Sequence, residues 1–138
     1  MDEFRQALIN KLLNYNCQGT LVELGAGQYT EDLSKYYNVW SVSENAAKFD
    51  VRINYIFAPI VKGVFDERRL KELPGYYNLL LISSEVGRRS FFVYREWFLR
   101  DVPVFIILNG DDYILDIAKE LKRQLTIYGV EDKKFAVI

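Results

Sequence analysis

Residues 21 to 30, Leu21-Val22-Glu23-Leu24-Gly25-Ala26-Gly27-Gln28-Tyr29-Thr30, run from an apolar segment straight into two glycines spaced one apart. Val22 and Leu24 flanking a carboxylate read as a short buried strand. The glycines let the backbone turn tightly and approach a ligand closely. Thr30 is expected to cap a following helix, with Glu31 and Asp32 in its first turn and Leu33 opening its buried face. A strand, a glycine turn and a helix in this order suit a nucleotide-type cofactor and constrain the fold more than any other stretch.

A chain of 138 residues fits one domain, 1–138, with no room for a cap or a separate substrate domain. Half the residues are hydrophobic and 27% are charged, as in a globular protein. A net charge of -1 gives no global attraction to nucleic acid or anionic lipid, so any such binding must come from a local patch. The longest apolar runs, such as Val102 to Leu108, fall far short of the roughly 20 residues that span a bilayer. With an acidic start at Asp2 and Glu3, a cytoplasmic protein is expected.

Histidine is absent and Cys17 is the single cysteine. These counts exclude an intrachain disulfide, a cysteine-rich zinc site, and serine or cysteine catalysis through imidazole, and no metal site is expected. Any chemistry must rest on carboxylates, Tyr, Lys or positioning. Scarce His and Cys beside abundant Tyr, Ile and charged residues hint at a thermophilic source.

Helical spacing of Phe4, Leu8, Ile9, Leu12 and Leu13 predicts a first amphipathic helix over 3–15. Strands are expected at 20–24, 39–43, 51–57, 77–82, 102–108 and 135–138. Ala58-Pro59 ends the third of these, and the unbroken apolar fourth reads as a central parallel strand. Helices are expected at 31–37, weakly at 45–48, and at 66–73, 90–99 and 113–128. Ile114, Ile117, Ala118, Leu121 and Leu125 form the buried stripe of the last helix, and Gly129 its cap. Residues 83–87 are expected as a loop and Asn109-Gly110 as a turn. The alternation implies an α/β, Rossmann-like three-layer sandwich with a mostly parallel sheet, whose ligand lies beyond the carboxyl ends of the strands.

The glycine loop lacks the third glycine of a dinucleotide fingerprint, Thr30 standing in its place, and it is not a P-loop. Glu23, two positions before Gly25, would repel phosphates and suits a ligand carrying positive charge. Here the residues resemble the class I S-adenosylmethionine-dependent methyltransferases, whose first motif is an acidic residue, an apolar residue and G-x-G. Gly25-Ala26-Gly27-Gln28-Tyr29 together with Ile56-Phe57-Ala58-Pro59 is also similar to a short archaeal methyltransferase-like family. The resemblance implies S-adenosylmethionine as cofactor, bound by Glu23, Gly25, Ala26, Gly27 and Tyr29, with Ser83 from the loop after the fourth strand.

That superfamily also implies an acid after strand two to hold the ribose hydroxyls. Ser43 occupies that place here, with Glu44 one residue late but 19 residues after Gly25, near the ~20 expected of a ribose-binding acid. Asn54 and Tyr55, near the end of strand three, stand where an adenine-side residue is expected; Glu44 and Asn54 read equally well as loop residues. Glu85 is a candidate to position or deprotonate a substrate, or a plain acid compensating a helix dipole. Arg88, Arg89, Arg95 and Arg100 are read as solvated charges, with a basic edge for phosphate or RNA as the alternative. Phe91, Phe92, Tyr94, Trp97 and Phe98 exceed one buried face, leaving aromatics for a partner or a homodimer through 90–99. The reading is thus a methyltransferase of unspecified substrate; the alternative is a non-catalytic methyltransferase-like module that binds protein or nucleic acid.

Overall fold

A computed structural model describes residues 2–15, 19–45, 52–98, 102–108 and 114–138, with the side chains of Ile114 and Ile117 excepted. The expectations for Cys17, the 46–48 segment, Arg100, Asn109-Gly110 and Tyr113 lie outside these residues. Helix α1 spans Glu3–Leu13 and begins where Asp2 accepts the Phe4 backbone N–H at 3.0 Å. Its Phe4, Leu8, Ile9 and Leu12 are buried.

Strand β1, Thr20–Leu24, is followed by the glycine loop, α2 (Thr30–Leu33) and β2 (Asn38–Ser43). The central helix of this unit is a single turn, shorter than the expected 31–37. The Ser34 hydroxyl donates to the Glu31 carbonyl at 2.6 Å, and Tyr36 and Tyr37 both donate their N–H to Leu33, which closes the turn. Strand β3 is Asn54–Phe57, stopped by Ala58-Pro59 as the sequence suggests. A hairpin of β4 (Ile60–Val61) and β5 (Val64–Phe65) then turns through Lys62 and Gly63, whose φ values are +55° and +83°. Its signal, Lys-Gly between the apolar pairs Ile60-Val61 and Val64-Phe65, is a two-residue turn of the primed type.

After α3 (Glu67–Leu70), strand β6 (Leu79–Ile82) is fully buried along its length, the central parallel strand expected. Each such side chain contributes about 1.5–3 kcal/mol by burial. The 83–87 loop is shorter than expected. Ser84 caps helix α4, Glu85–Val93, its hydroxyl accepting the Gly87 N–H at 2.9 Å. The expected 90–99 helix is therefore the end of α4 followed, after a break at Tyr94, by the single turn α5, Arg95–Phe98.

Strand β7 is Val104–Leu108. Helix α6, Ile114–Leu121, is followed by Lys122 in the left-handed region at φ +55°. The expected helix to Tyr128 thus stops short, and Thr126–Val130 forms β8, hairpinned to β9, Lys133–Val137. Gly129 lies within β8 opposite Lys134 and caps no helix. Leu121 and Leu125 still pack against the core, so the apolar spacing of the stripe matched both conformations.

Among the described residues seven strands form one sheet in the order β3-β2-β1-β6-β7-β9-β8, with β9 antiparallel to both neighbours. Val22, Leu24, Leu80, Ile82 and Ile106 face Phe91, Phe98 and Ala118 of α4, α5 and α6. Leu21, Leu79, Leu81 and Phe105 face Phe4, Leu8 and Leu12 of α1 and Leu33 of α2. This is the three-layer arrangement expected. The chain runs outward from β1 through β2 to β3, then crosses back to β6 and β7 on the other side, so the order reverses between β1 and β6. Such a reversal opens a crevice at the carboxyl ends of the two strands, where ligands of open α/β sheets bind. Among the described residues no helix is long and apolar enough to cross a membrane.

Candidate functional site

Glu23 alternates with Val22 and Leu24 and so points to the α1 and α2 side, where it is completely buried. Three hydroxyls satisfy it. Thr30 and Ser41 both donate to Oε1 at 2.7 Å, and Ser83 donates to Oε2 at 2.9 Å. Burial pushes the Glu23 carboxyl above its ordinary value of 4.5, and the three hydrogen bonds pull against that shift. The carboxylate thereby joins β1, α2, β2 and the end of β6. It meets the crevice through Ser83, not directly.

The glycine loop is clamped on both sides. Gly25 and Ala26 donate to the Val42 carbonyl at 3.0 and 3.1 Å, and the Ser83 N–H donates to Leu24 at 3.2 Å. Gly25 sits at φ +95°, and a Cβ there would run into the Ser84 hydroxyl. Gly87, in the first turn of α4, packs so closely on the Leu24 carbonyl that a Cβ would collide with backbone. Gly27 faces open space apart from the Ser83 side chain. Thr30 is the first residue of α2 and not its cap. Tyr29 holds the cap position without a side-chain bond, while the Thr30 hydroxyl turns inward to Glu23 and accepts the Gly27 N–H at 3.0 Å.

A cavity of about 340 Å³ opens beside this loop. One wall is Gly27, Gln28, Tyr29 and Ser83; another is apolar, from Phe4 of α1 and Ile107 and Leu108 of β7. Lys133 and Lys134 line it as well. Tyr29 is held in place by its hydroxyl, which accepts from Gln28 at 2.7 Å, and by the Phe4 ring 5.9 Å away.

The expected residues divide by position. Glu23, Gly25, Ala26, Gly27, Tyr29 and Ser83 come together at the carboxyl ends of β1 and β6. Ser43 and Glu44 stand at the same edge one strand over; Ser43 bonds Asn45, and Glu44 is exposed. Asn54 does not join them. It opens β3 at the opposite edge, roughly 10 Å away along a three-residue stretch of strand, with its amide donating to Asn38 and Val39. Tyr55 follows it and stacks on Phe57 at 5.9 Å, so the residues at the carboxyl end of β3 are Phe57 and Ala58. The expected and observed strands both end at Phe57, so the misplacement lay in taking residues three and two before that end for the end itself.

Glu85 is exposed in the first turn of α4 and pairs with Arg89, which also donates to the Gly63 carbonyl. Its contacts are those of a dipole-compensating acid. Arg88 is not a solvated charge: it is 2% exposed and donates to the Ile107 carbonyl at 3.0 Å, fixing the end of β7 that walls the cavity. Arg95 pairs with Glu120 at 2.6 Å. Sequence reading missed Thr30 and Ser41 as partners of Glu23, though each is a lone hydroxyl on a buried face. It also missed Phe4, Gln28 and the two lysines, which a strand placed at 126–130 would have brought to the ligand edge.

With β4 and β5 set apart, the strand sequence across the sheet is third, second, first, fourth, fifth, seventh, sixth, the seventh reversed. Solved methyltransferase structures share this architecture. A precorrin-6y C5,15-methyltransferase from Geobacter metallireducens superposes with a TM-score of 0.67 at 10% identity, over 98% of this chain and 86% of that one. The chain has a methyltransferase-like fold. A putative methyltransferase from Pseudomonas syringae gives a TM-score of 0.66 at 11% identity, over 97% of this chain and 95% of that one. MycE methyltransferase of the mycinamycin biosynthetic pathway, solved with Mg and SAH, gives 0.63 at 13% identity over 96% of this chain, which spans only 45% of MycE. No protein-family model matches the sequence, and no curated protein matches it significantly. At these identities the likeness is one of fold, and a methyltransferase-like fold leaves the chemistry to be argued from the site.

Proposed function

We propose that the chain is an S-adenosylmethionine-dependent methyltransferase. The observation that carries this is Glu23, a carboxylate buried directly beneath a G-x-G loop at the point where strand order reverses. Anionic character under the loop disfavours a phosphate-rich nucleotide and favours a cation above it. S-adenosylmethionine, when bound, supplies an electrophilic methyl group on a sulfonium. The remaining work falls to the chain. Gly25 to Gly27 admit the ligand close to the backbone, Ser83 relays the polarity of Glu23, and Tyr29 closes one side. Ser43 and Glu44 stand where a ribose would present its hydroxyls. Phe4, Ile107 and Leu108 shield the reacting end from water, so that catalysis is chiefly positioning and needs no histidine.

Titration with S-adenosylhomocysteine and with ATP tests this reading. Binding of the first and not of the second is expected; binding of ATP alone, or of neither, would sink it.

A second reading, of a module that docks a partner or a second copy, has its own support. Phe92, Val93 and Trp97 on α4 and α5 are 37%, 54% and 38% exposed, and Arg95 lies over the Phe92 ring at 5.0 Å. Arg95 and Glu96, of opposite sign, stand between Val93 and Trp97 in the chain. Light scattering of Trp97→Ala against the parent chain tests its second-copy form: a dimer that the substitution dissociates favours that form, and a parent chain that is a monomer at all concentrations removes it.

A further inference from the structure

The cavity beside the glycine loop has a distribution of charge that the cofactor reading does not use. Because β9 runs antiparallel to β7, its first residues lie at the ligand edge, Lys134 pairing with Leu108, the last residue of β7. Lys133 and Lys134, at that edge, line the same space as Ser83 and Gly27. Among the described residues no carboxylate lines that space. Lys133 is partly balanced by Asp2, whose Oδ2 lies 3.7 Å from its Nζ, and it extends over Phe4 at 6.0 Å. Lys134 has no ion pair among the described residues, and the acids of the adjoining turn, Glu131 and Asp132, are exposed and line no part of the wall. The adjoining wall is apolar, made by Phe4, Ile107 and Leu108.

We infer that this cavity binds a small acidic molecule, its carboxylate or phosphate against Lys134 and Lys133 and its apolar body on Phe4, Ile107 and Leu108. A cation pair beside an apolar wall discriminates in both respects. The lysines reward a negative group, while the wall rewards a ring or short hydrocarbon and excludes a fully hydrated anion. That the bound acid is the methyl acceptor rests on the methyltransferase reading; that the cavity binds an acid does not.

The test is calorimetric titration of the full chain with phenylacetate and phenylphosphonate, and with neutral phenylacetamide as the control. Both anions are expected to bind about tenfold more tightly than the amide, the scale of one charge-assisted hydrogen bond. In the double variant Lys133→Gln, Lys134→Gln the preference is expected to vanish. Both side chains are exposed, so the variant folds, which its circular dichroism melt verifies. The anions are also expected to bind the chain saturated with S-adenosylhomocysteine. Equal binding of anion and amide, or a preference that survives the double substitution, overturns the proposal. Displacement of the anions by S-adenosylhomocysteine assigns the lysines to the cofactor's own carboxylate and likewise overturns it. Anion binding by a chain that does not bind S-adenosylhomocysteine upholds the acid site and removes the methyltransferase reading.

Discussion

Glu23 combines complete burial with three hydroxyl donors, a pairing that gives it a distinct pH signature. Folded, its carboxyl takes up a proton at a higher pH than in the unfolded chain, where the ordinary value is 4.5. Between those two values the native state holds more protons, so stability falls as pH rises through the window, and the full penalty is present above it. Glu23→Gln removes the penalty and keeps an acceptor. Its melting temperature relative to the parent chain is expected to climb as pH rises from about 4.5 toward neutrality; a difference that is flat with pH would contradict this. The same variant is expected to lose preference for the charged sulfonium cofactor over S-adenosylhomocysteine, measured as the ratio of their dissociation constants. Gly25→Ala, at φ +95° and against Ser84, is expected to cost about 2 kcal/mol or more in urea denaturation. The motif Glu23-Leu24-Gly25-Ala26-Gly27 was legible in the sequence as a loop. The hydroxyls that hold Glu23 were not, since Ser41 and Ser83 lie 18 and 60 residues away in sequence and meet it only through strand pairing.

At the scale of elements, the places where sequence and structure part are places where two conformations share one apolar spacing. Leu121 and Leu125 fit a helical stripe, yet Thr126, Ile127, Tyr128 and Val130 are strand formers, and the hairpin with β9 decides between them. The helix ends at Lys122, a non-glycine residue in the left-handed region. Lys122→Gly is accordingly expected to stabilise the protein by about 1 kcal/mol in chemical denaturation, the saving when the left-handed residue after a helix is glycine; a loss of stability would contradict the cap geometry. Ser84 at the start of α4 makes the complementary case. Ser84→Ala is expected to cost about 1 kcal/mol, because the Gly87 N–H loses its acceptor. The hydrophobic core of β6 was readable because four apolar residues in a row leave a strand covered on both faces as the simplest solution. The β3 start was not, since Arg52 and Ile53 continue the alternation into a turn.

For the whole molecule, strand order does what no single residue does: it puts the glycine loop, the end of β6 and the start of β9 around one crevice. The sequence carried the alternation of strands and helices, and hence the fold class, but not the reversed seventh strand that delivers Lys133 and Lys134 to the site. Asn54 shows the same limit from the other side, its residue type fitting the expected role while the register sends it to the wrong edge. The central claim is therefore one of location, a cofactor seated at the carboxyl ends of β1 and β6. Amide chemical-shift mapping of the chain with S-adenosylhomocysteine tests it most directly. Saturable shifts centred on Gly25 to Tyr29, Ser43, Glu44 and Ser83 are the expected result. Shifts centred on Val93 and Trp97, or none at saturating ligand, would contradict it.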